Sequence, residues 1–116
     1  MWKRVLSSFG YAGSGFLTLV STQLNARIHL MLTAVALGLG AVLRIEYLEW
    51  ALVVFAISLV WVAEALNTAI EALADVVTRE HHPGIKRAKD VAAAGVLISA
   101  VGALVIGLLV FLPRLL

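Results

Sequence analysis

Residues 91–112, VAAAGVLISAVGALVIGLLVFL, form an apolar run of 22 residues without a charged side chain. A transmembrane helix needs about 20 consecutive apolar residues to cross the hydrocarbon core of a bilayer. The run therefore predicts a membrane-spanning helix. The composition agrees, because 62% of the 116 residues are hydrophobic and 14% are charged, compared with roughly 45–50% and 25% in soluble domains.

Two further apolar segments precede this run. Residues 28–45 are short for a span, and we expect Arg27 and Arg44 to reach toward the lipid headgroups at its two ends. Residues 50–77 begin without charge and are expected to continue as one helix past the membrane boundary. Three such helices leave no room for a separate soluble domain, so we expect residues 1–116 to form a single integral-membrane domain.

Residues 1–24 are amphipathic. Lys3 and Arg4 precede a segment that mixes large apolar residues with serine, threonine and glycine. A signal peptide also has a basic start, but the polar and glycine residues at 7–15 interrupt the apolar stretch that it requires. A helix lying on the membrane surface fits better. The predicted fold is an all-α membrane protein, with an N-terminal amphipathic surface helix plus three transmembrane helices per subunit.

The distribution of positive charge predicts the orientation. Seven basic residues fall on one side of the predicted spans: Lys3, Arg4, Arg27, Arg79, Lys86, Arg87 and Lys89. Only Arg44 and Arg114 fall on the other side. By the positive-inside rule, we expect a multi-pass protein of the bacterial inner (plasma) membrane with a cytoplasmic N-terminus. This topology accounts for the net charge of +2, and we expect no nucleic-acid partner.

The stretch AEALNTAIEALAD, residues 63–75, contains acidic side chains within an otherwise apolar segment. Four polar side chains recur in it at intervals of three and four residues: Glu64, Asn67, Glu71 and Asp75. That spacing puts them on one face of a helix. An acidic side chain at the centre of a membrane helix costs about 2.5–3.5 kcal/mol on insertion scales. We therefore expect Glu64, the deepest of the four, to face a polar cavity lined by protein.

Structural and non-enzymatic interpretations compete with an enzymatic one. A carboxylate such as Glu64 can hydrogen-bond to neighbouring helices and hold them together, which contributes about 0.6 kcal/mol on average. Asp75, near the membrane boundary, can equally belong to a solvated helix end. An ion or proton path is a further alternative, since intramembrane carboxylates serve that role. The convergence of Glu64, Asn67 and Glu71 favours a site.

The surrounding charges indicate what chemistry such a site performs. The acidic face lies beside a cytoplasmic loop rich in lysine and arginine. Carboxylates hold Mg²⁺, and cations hold phosphate oxygens. Mg²⁺ usually requires only one or two carboxylates in addition to the phosphates. The combination is typical of a place where Mg²⁺ and a polyphosphate meet, with Glu64 as a proton acceptor.

Other sequence features carry less weight. The glycines of GYAGSG, residues 10–15, lack the spacing of a nucleotide-binding loop, and close helix packing explains them better. The three histidines form no known metal-ligand pattern. Lys86 and Asp90 are four residues apart, so the two side chains can form an ion pair on the helix surface. The alternative is that Asp90 contacts a nucleotide. The absence of cysteine excludes disulfides and thiolate catalysis.

The string EALNTAIEALAD resembles the signature of the prokaryotic diacylglycerol kinase family of small integral-membrane lipid kinases. The likeness extends through FGYAGSG, NARIHL, HHP and KRAKDVAAAGVLISA. It implies phosphorylation of a membrane lipid alcohol by ATP with Mg²⁺, in a homotrimer whose active sites lie between adjacent subunits. NARIH and HHP, with His29 where the diacylglycerol branch usually has glutamate, are more similar to the undecaprenol kinase branch. Undecaprenol is therefore the expected substrate, and diacylglycerol is the alternative.

The resemblance also implies roles for individual residues. Glu64 would accept the proton of the lipid hydroxyl, supported by Asn67 and Asp75. Glu71 would bind Mg²⁺ with Gln23, which stands where most members of the family have a glutamate. As an uncharged ligand Gln23 would lower the metal affinity, so an inactive, regulatory relative is a further alternative. The residues implied in nucleotide binding are Arg4, Tyr11, Glu80, His81, His82, Lys89 and Asp90.

Overall fold

Four helices and no strands make up the computed structural model, which describes all 116 residues. The helices are α1 (Trp2–Thr22), α2 (Leu24–Leu43), α3 (Tyr47–Val77) and α4 (Pro83–Leu115). The last three are long and apolar enough to cross a membrane. The predicted class, an all-α membrane protein with three such helices after an N-terminal helix, is confirmed.

The helices α3 and α4 are longer than a bilayer is thick. They contain 31 and 33 residues, which is about 46 and 50 Å at 1.5 Å per residue, whereas the hydrocarbon core measures about 30 Å. Both begin before the apolar segments 50–77 and 91–112. Helix α3 starts earlier because Glu46 and Glu49 form a capping box, and α4 starts earlier because His82 caps its first turn.

Helix α1 leads into α2 through a single non-helical residue. The Arg27 side chain donates hydrogen bonds to the carbonyls of Val20 (3.0 Å) and Ser21 (2.6 Å), which satisfies acceptors at the end of α1. Phe16 packs on Trp61 of α3 with 5.2 Å between ring centroids. Most other side chains of α1 are exposed, as suits a helix lying along a membrane surface.

The helices α3 and α4 form an antiparallel hairpin that is tied at both ends. At the end nearest α1, Lys89 Nζ lies 3.0 Å from Asp75 Oδ1. At the opposite end, Arg114 pairs with Glu49. A small apolar core near this second pair consists of three buried residues: Ile45, Val53 and Val110. The hairpin is therefore the best-connected part of the fold.

Most apolar side chains of the single chain face outward. Only 11 of the 116 residues are buried, far too few for a core that would hold a soluble domain together. In a bilayer this is expected, because lipid tails are as apolar as leucine and can surround the helices directly. The outward-facing apolar side chains therefore suit a protein whose helices lie in a lipid bilayer.

Gly40 is a point of close contact between α2 and α3. A Cβ atom there would lie 2.8 Å from Trp50 Cη2 and 3.1 Å from Ile45 Cδ1. We expect Gly40→Ala to lower the free energy of unfolding by about 1–3 kcal/mol, as is typical of overpacking. Reversible unfolding in detergent micelles measures the change.

Gly38→Ala provides the matched control on the same helix. No atom lies within 4 Å of the Cβ that it would add. Alanine is the better helix former by about 0.8–1.0 kcal/mol, so this variant should be as stable as the unmodified protein or more so. Equal stability of the Gly40 and Gly38 variants would contradict the close contact.

Candidate active site

The acidic face of α3 descends from the helix end into the bundle. Glu64 is 1% exposed and is the only charged side chain that the chain buries fully. Asn67, Glu71 and Asp75 are half-buried and follow it toward the end of α3. The steps from Glu64 to Glu71 and to Asp75 correspond to about 10 and 16 Å along a helix. The acidic face thus extends from the buried interior of the bundle to the partly exposed end of α3.

One oxygen of Glu64 has no hydrogen-bond partner. The nearest basic atom is His29 Nε2, 3.8 Å from Glu64 Oε2, which exceeds the length of a hydrogen bond. The buried atoms Asn67 Oδ1 and Thr68 Oγ1 are also unpaired. An unsatisfied buried polar atom costs about 1–3 kcal/mol. Three such oxygens close together on one helix indicate a site that a ligand completes.

His29 is set beside Glu64 by contacts between α2 and α3. Thr33 Oγ1 donates to the His29 carbonyl at 2.7 Å, and Trp61 Nε1 donates to Thr33 Oγ1 at 2.9 Å. Trp61 also meets the His29 ring edge-on, with 6.3 Å between centroids. The sequence did not predict that His29 lies at the site. His29 and Glu64 are 35 residues apart on different helices, and no spacing along the chain indicates that they meet.

A polar cavity of about 380 Å³ lies beside the acidic face. Its polar lining residues are Asn25, His29, Asn67 and Glu71. Apolar residues of α2 and α4 complete the wall. The structure therefore brings Asn67 and Glu71 together in one cavity, as their spacing predicts, and it adds Asn25 and His29 from α2.

Gln23 lies outside the lining of this polar cavity. It is the junction residue between α1 and α2, and its Nε2 donates to Thr22 Oγ1 at 3.3 Å. Asn25, two residues further on, lines the cavity with Glu71 instead. Asn25 belongs to the NARIHL motif, but the sequence gives it no predicted role. From the segment that joins α1 and α2, the predicted ligand was Gln23, two residues earlier.

A second cavity, of about 340 Å³, lies between α2, α3 and α4, and 15 of its 18 lining residues are hydrophobic. Three residues with polar side-chain atoms line it on the side nearest Glu64: His29, Thr33 and Trp61. The lining reaches Val53 and Phe111 at the far end, beside the apolar core. His29 lines this apolar cavity as well as the polar one.

Two lysines near the start of α4 are paired with aspartates. Lys89 Nζ contacts Asp75 Oδ1, so Lys89 lies beside the acidic face as predicted. Lys86 Nζ lies 2.6 Å from Asp90 Oδ2, the surface pair that a spacing of four residues allows. In the single chain, both cations therefore already have anionic partners.

The remaining residues implied in nucleotide binding are exposed. They are Arg4, Tyr11, Glu80, His81 and His82. None of them lines the polar cavity of the single chain. His82 has a structural contact, because its Nδ1 accepts a hydrogen bond from the backbone N–H of Gly84 at 3.0 Å and caps α4.

Comparison with known proteins identifies the family. Residues 10–111 match the family described as Prokaryotic diacylglycerol kinase. The chain belongs to this family. It is 38% identical over 112 residues to the undecaprenol kinase of Bacillus subtilis, covering 97% of this chain and 91% of the relative. It is 36% identical over 113 residues to a diacylglycerol kinase of Synechocystis, covering 97% of this chain and 65% of the relative.

A more distant relative belongs to the same family. The diacylglycerol kinase of Escherichia coli is 28% identical over 102 residues, covering 88% of this chain and 84% of that protein. Membership confirms the predicted class of activity: the protein is a lipid kinase, a phosphotransferase with an alcohol acceptor that uses ATP. The names of these relatives are those of kinases, so the family supports the enzymatic interpretation of the protein.

The residues at the polar cavity suit Mg²⁺ held together with a polyphosphate. No group of three or more histidine, cysteine, aspartate or glutamate side chains is placed to hold a metal ion. Glu71 nevertheless supplies one carboxylate, and the unpaired Asn67 Oδ1 supplies a neutral oxygen. Mg²⁺ is usually bound by one or two carboxylates with substrate phosphates and water completing its shell. The donor set of this kinase fits that pattern.

Proposed function

We propose that this protein is an undecaprenol kinase that transfers the γ-phosphoryl group of ATP to the hydroxyl of undecaprenol. The observation that carries the proposal is the position of Glu64, a buried carboxylate with an unpaired oxygen, between a polar and an apolar cavity. The polar cavity suits a nucleotide, and the apolar one suits a lipid. The similarity to an undecaprenol kinase over nearly the whole chain supports this choice of lipid.

Glu64 acts as the proton acceptor. As the proton of the lipid hydroxyl moves to Glu64, the hydroxyl oxygen bonds to the γ-phosphorus. The bond between that phosphorus and the oxygen it shares with the β-phosphate breaks, and ADP leaves. Positioning and charge stabilisation provide most of the rate enhancement in phosphoryl transfer. The buried, unpaired Oε2 supports Glu64 in this role, because it is free to take a proton.

Glu71 and Asn67 hold Mg²⁺ at the polar cavity, with Gln23 as a neutral ligand from the junction of α1 and α2. When bound, the metal neutralises charge on the phosphate oxygens. In the free protein, Asp75 pairs with Lys89 and positions its side chain. When the nucleotide binds, Lys89 leaves Asp75 and contacts the phosphates. The other residues that we assign to the nucleotide are Arg4, Tyr11, Glu80, His81, His82 and Asp90.

We also propose that the protein is a homotrimer in the bacterial inner membrane, with its N-terminus in the cytoplasm. Residues 1–116 would act as one catalytic domain in each subunit. The exposure of Arg4 and Tyr11 in the single chain supports a site that a neighbouring subunit completes. The seven basic residues at the end of the bundle that carries Glu71 and Lys89 support the orientation.

Diacylglycerol is the second candidate substrate, because two of the relatives are diacylglycerol kinases. Purified protein in vesicles that contain undecaprenol and diacylglycerol in equal mole fraction, supplied with Mg²⁺ and γ-labelled ATP, should place most of the label on undecaprenol. Label mainly in phosphatidic acid would make diacylglycerol the substrate. Label in neither lipid would overturn the proposed function.

A further inference from the structure

Glu64 is shielded from both cavities. Its Oε2 has less than 1 Å² of exposed surface, and Glu64 lines neither the polar nor the apolar cavity. His29 lines both, and its Nε2 lies 3.8 Å from that oxygen. The imidazole therefore lies beside the buried carboxylate and also borders both spaces. His29 is the residue that the two cavities and the surroundings of Glu64 Oε2 have in common.

The apolar cavity has polar groups at one end and apolar residues along the rest, which matches the arrangement of polar and apolar groups in a lipid alcohol. Its residues with polar side-chain atoms lie at the His29 end, and the lining continues along α2 as far as Leu39. Ten residues of helix measure about 15 Å, half of the hydrocarbon thickness of about 30 Å. Small-molecule sites are typically 300–1,000 Å³ and largely apolar with a few polar groups that fix orientation. A chain ending in one hydroxyl matches this arrangement.

We propose that the lipid alcohol binds with its first isoprene units in the apolar cavity and its hydroxyl on His29, and that His29 keeps water from Glu64 until the lipid arrives. The proposal rests on the proposed function and adds the site of the lipid and the residue that selects it over water. The edge-on contact with Trp61 favours the orientation of the imidazole seen beside Glu64.

A side-chain rotation of His29 completes the reaction geometry. The incoming hydroxyl hydrogen-bonds to Nε2, and rotation of the ring then exposes Glu64 Oε2 to the same hydroxyl. The proton passes from the lipid oxygen to Oε2 as that oxygen bonds to the γ-phosphorus and ADP leaves. Without lipid the ring returns, Oε2 stays covered, and water is not deprotonated. His29 is thereby a specificity residue that contacts the substrate.

The first test replaces His29 by alanine. The value of kcat/KM for undecaprenol should fall about 10- to 100-fold, as expected for the loss of a hydrogen bond to a polar substrate group. Hydrolysis of ATP in vesicles without lipid alcohol should rise, and the KM for ATP should stay unchanged. His29→Gln, which keeps an N–H donor near the position of Nε2, should recover most of the transfer.

Met31→Ala is the matched control, because Met31 is an exposed residue of the same helix that lines neither cavity. Unchanged transfer and unchanged ATP hydrolysis in His29→Ala would overturn the proposal, as would an effect confined to the KM for ATP. If the unmodified protein phosphorylates neither lipid, the proposed function fails first. If it phosphorylates undecaprenol and His29→Ala behaves identically, only this proposal fails.

The second test fills the apolar cavity without touching His29. Gly107 lines the cavity and has no atom within 4 Å of an added Cβ, so a side chain introduced there starts without a backbone clash. Gly107→Leu should lower kcat/KM for undecaprenol by about 5- to 100-fold, because the added side chain takes up space that the lipid would occupy. It should affect 3-methyl-2-buten-1-ol less, because this five-carbon alcohol fills less of the cavity.

Gly102→Leu is the control for this second variant. Gly102 lies on the same helix, is exposed, and has equal space around it, but it does not line the cavity. Equal activity of the two leucine variants on undecaprenol would overturn the assignment of the cavity. Dissociation of the Gly107→Leu assembly in detergent, with unchanged kinetics, would show that a second subunit occupies the cavity instead and would likewise overturn it.

Discussion

Replacing Glu64 by glutamine is expected to lower phosphoryl transfer to the lipid by about 10²–10⁴-fold, the contribution of a positioned general base. Glutamine keeps the shape of the side chain but accepts no proton at its amide. Glu64 is 1% exposed and has no partner within hydrogen-bond distance at Oε2. Its replacement by glutamine therefore removes no hydrogen bond at Oε2. Because a buried amide is less costly than a buried charge, the fold should be at least as stable even without the charge that faces His29.

Three measurements on the Glu64→Gln variant separate catalysis from structure. Labelled-phosphate transfer, size-exclusion chromatography in detergent and nucleotide binding by calorimetry should show lost transfer with retained assembly and retained binding. Glu46→Gln, at the opposite end of the same helix, should keep full activity. A Glu64→Gln protein that fails to assemble would instead support the interpretation of Glu64 as a link between helices.

The second large effect is expected for Glu71→Gln. Glu71 is the only carboxylate that lines the polar cavity, so no other charge there replaces it. Loss of groups that merely support a metal ligand already costs about 10- to 100-fold in metal affinity. We therefore expect the Mg²⁺ concentration for half-maximal transfer to rise by at least about 100-fold, while the KM for the lipid stays unchanged.

Titration of Mg²⁺ at fixed ATP measures this shift, and calorimetry with Mg²⁺ and a non-hydrolysable ATP analogue measures it without turnover. Gln23→Glu tests Gln23 as a metal ligand. Because this variant adds a negative charge, the Mg²⁺ concentration for half-maximal transfer should fall. If the Mg²⁺ concentration for half-maximal transfer is the same in Glu71→Gln as in the unmodified protein, the polar cavity does not hold the metal. That conclusion holds even if the variant transfers phosphate more slowly.

The fold was predictable because it depends on local properties of the chain. A charge-free segment of membrane length predicts α4, and a spacing of three and four residues predicts the shared face of Glu64 and Glu71. Helix ends were harder to place. The capping box of Glu46 and Glu49 and the cap from His82 extend α3 and α4 into polar segments, where hydropathy gives no signal.

The candidate site was predictable only in part, because half of it lies on another helix. The spacing along α3 predicts that Asn67 and Glu71 share one face. It does not predict that Asn25 and His29 line the same cavity, since their proximity depends on how α2 packs against α3. Hydrogen bonds such as that from Trp61 to Thr33 determine this packing. Contacts between residues far apart in the chain produce no periodic pattern that a single sequence would reveal.

The paired ends of the α3–α4 hairpin lead us to expect that activity depends on bilayer thickness. Ion pairs at Asp75 and Glu49 join the two helices at both ends, so we expect the hairpin to tilt or shift in the lipid as one body. A hydrophobic mismatch then raises or lowers Glu64 and Glu71 together relative to the water boundary. Transfer should peak at one acyl-chain length of the host phospholipid, and a flat profile across a series of vesicles would exclude this coupling.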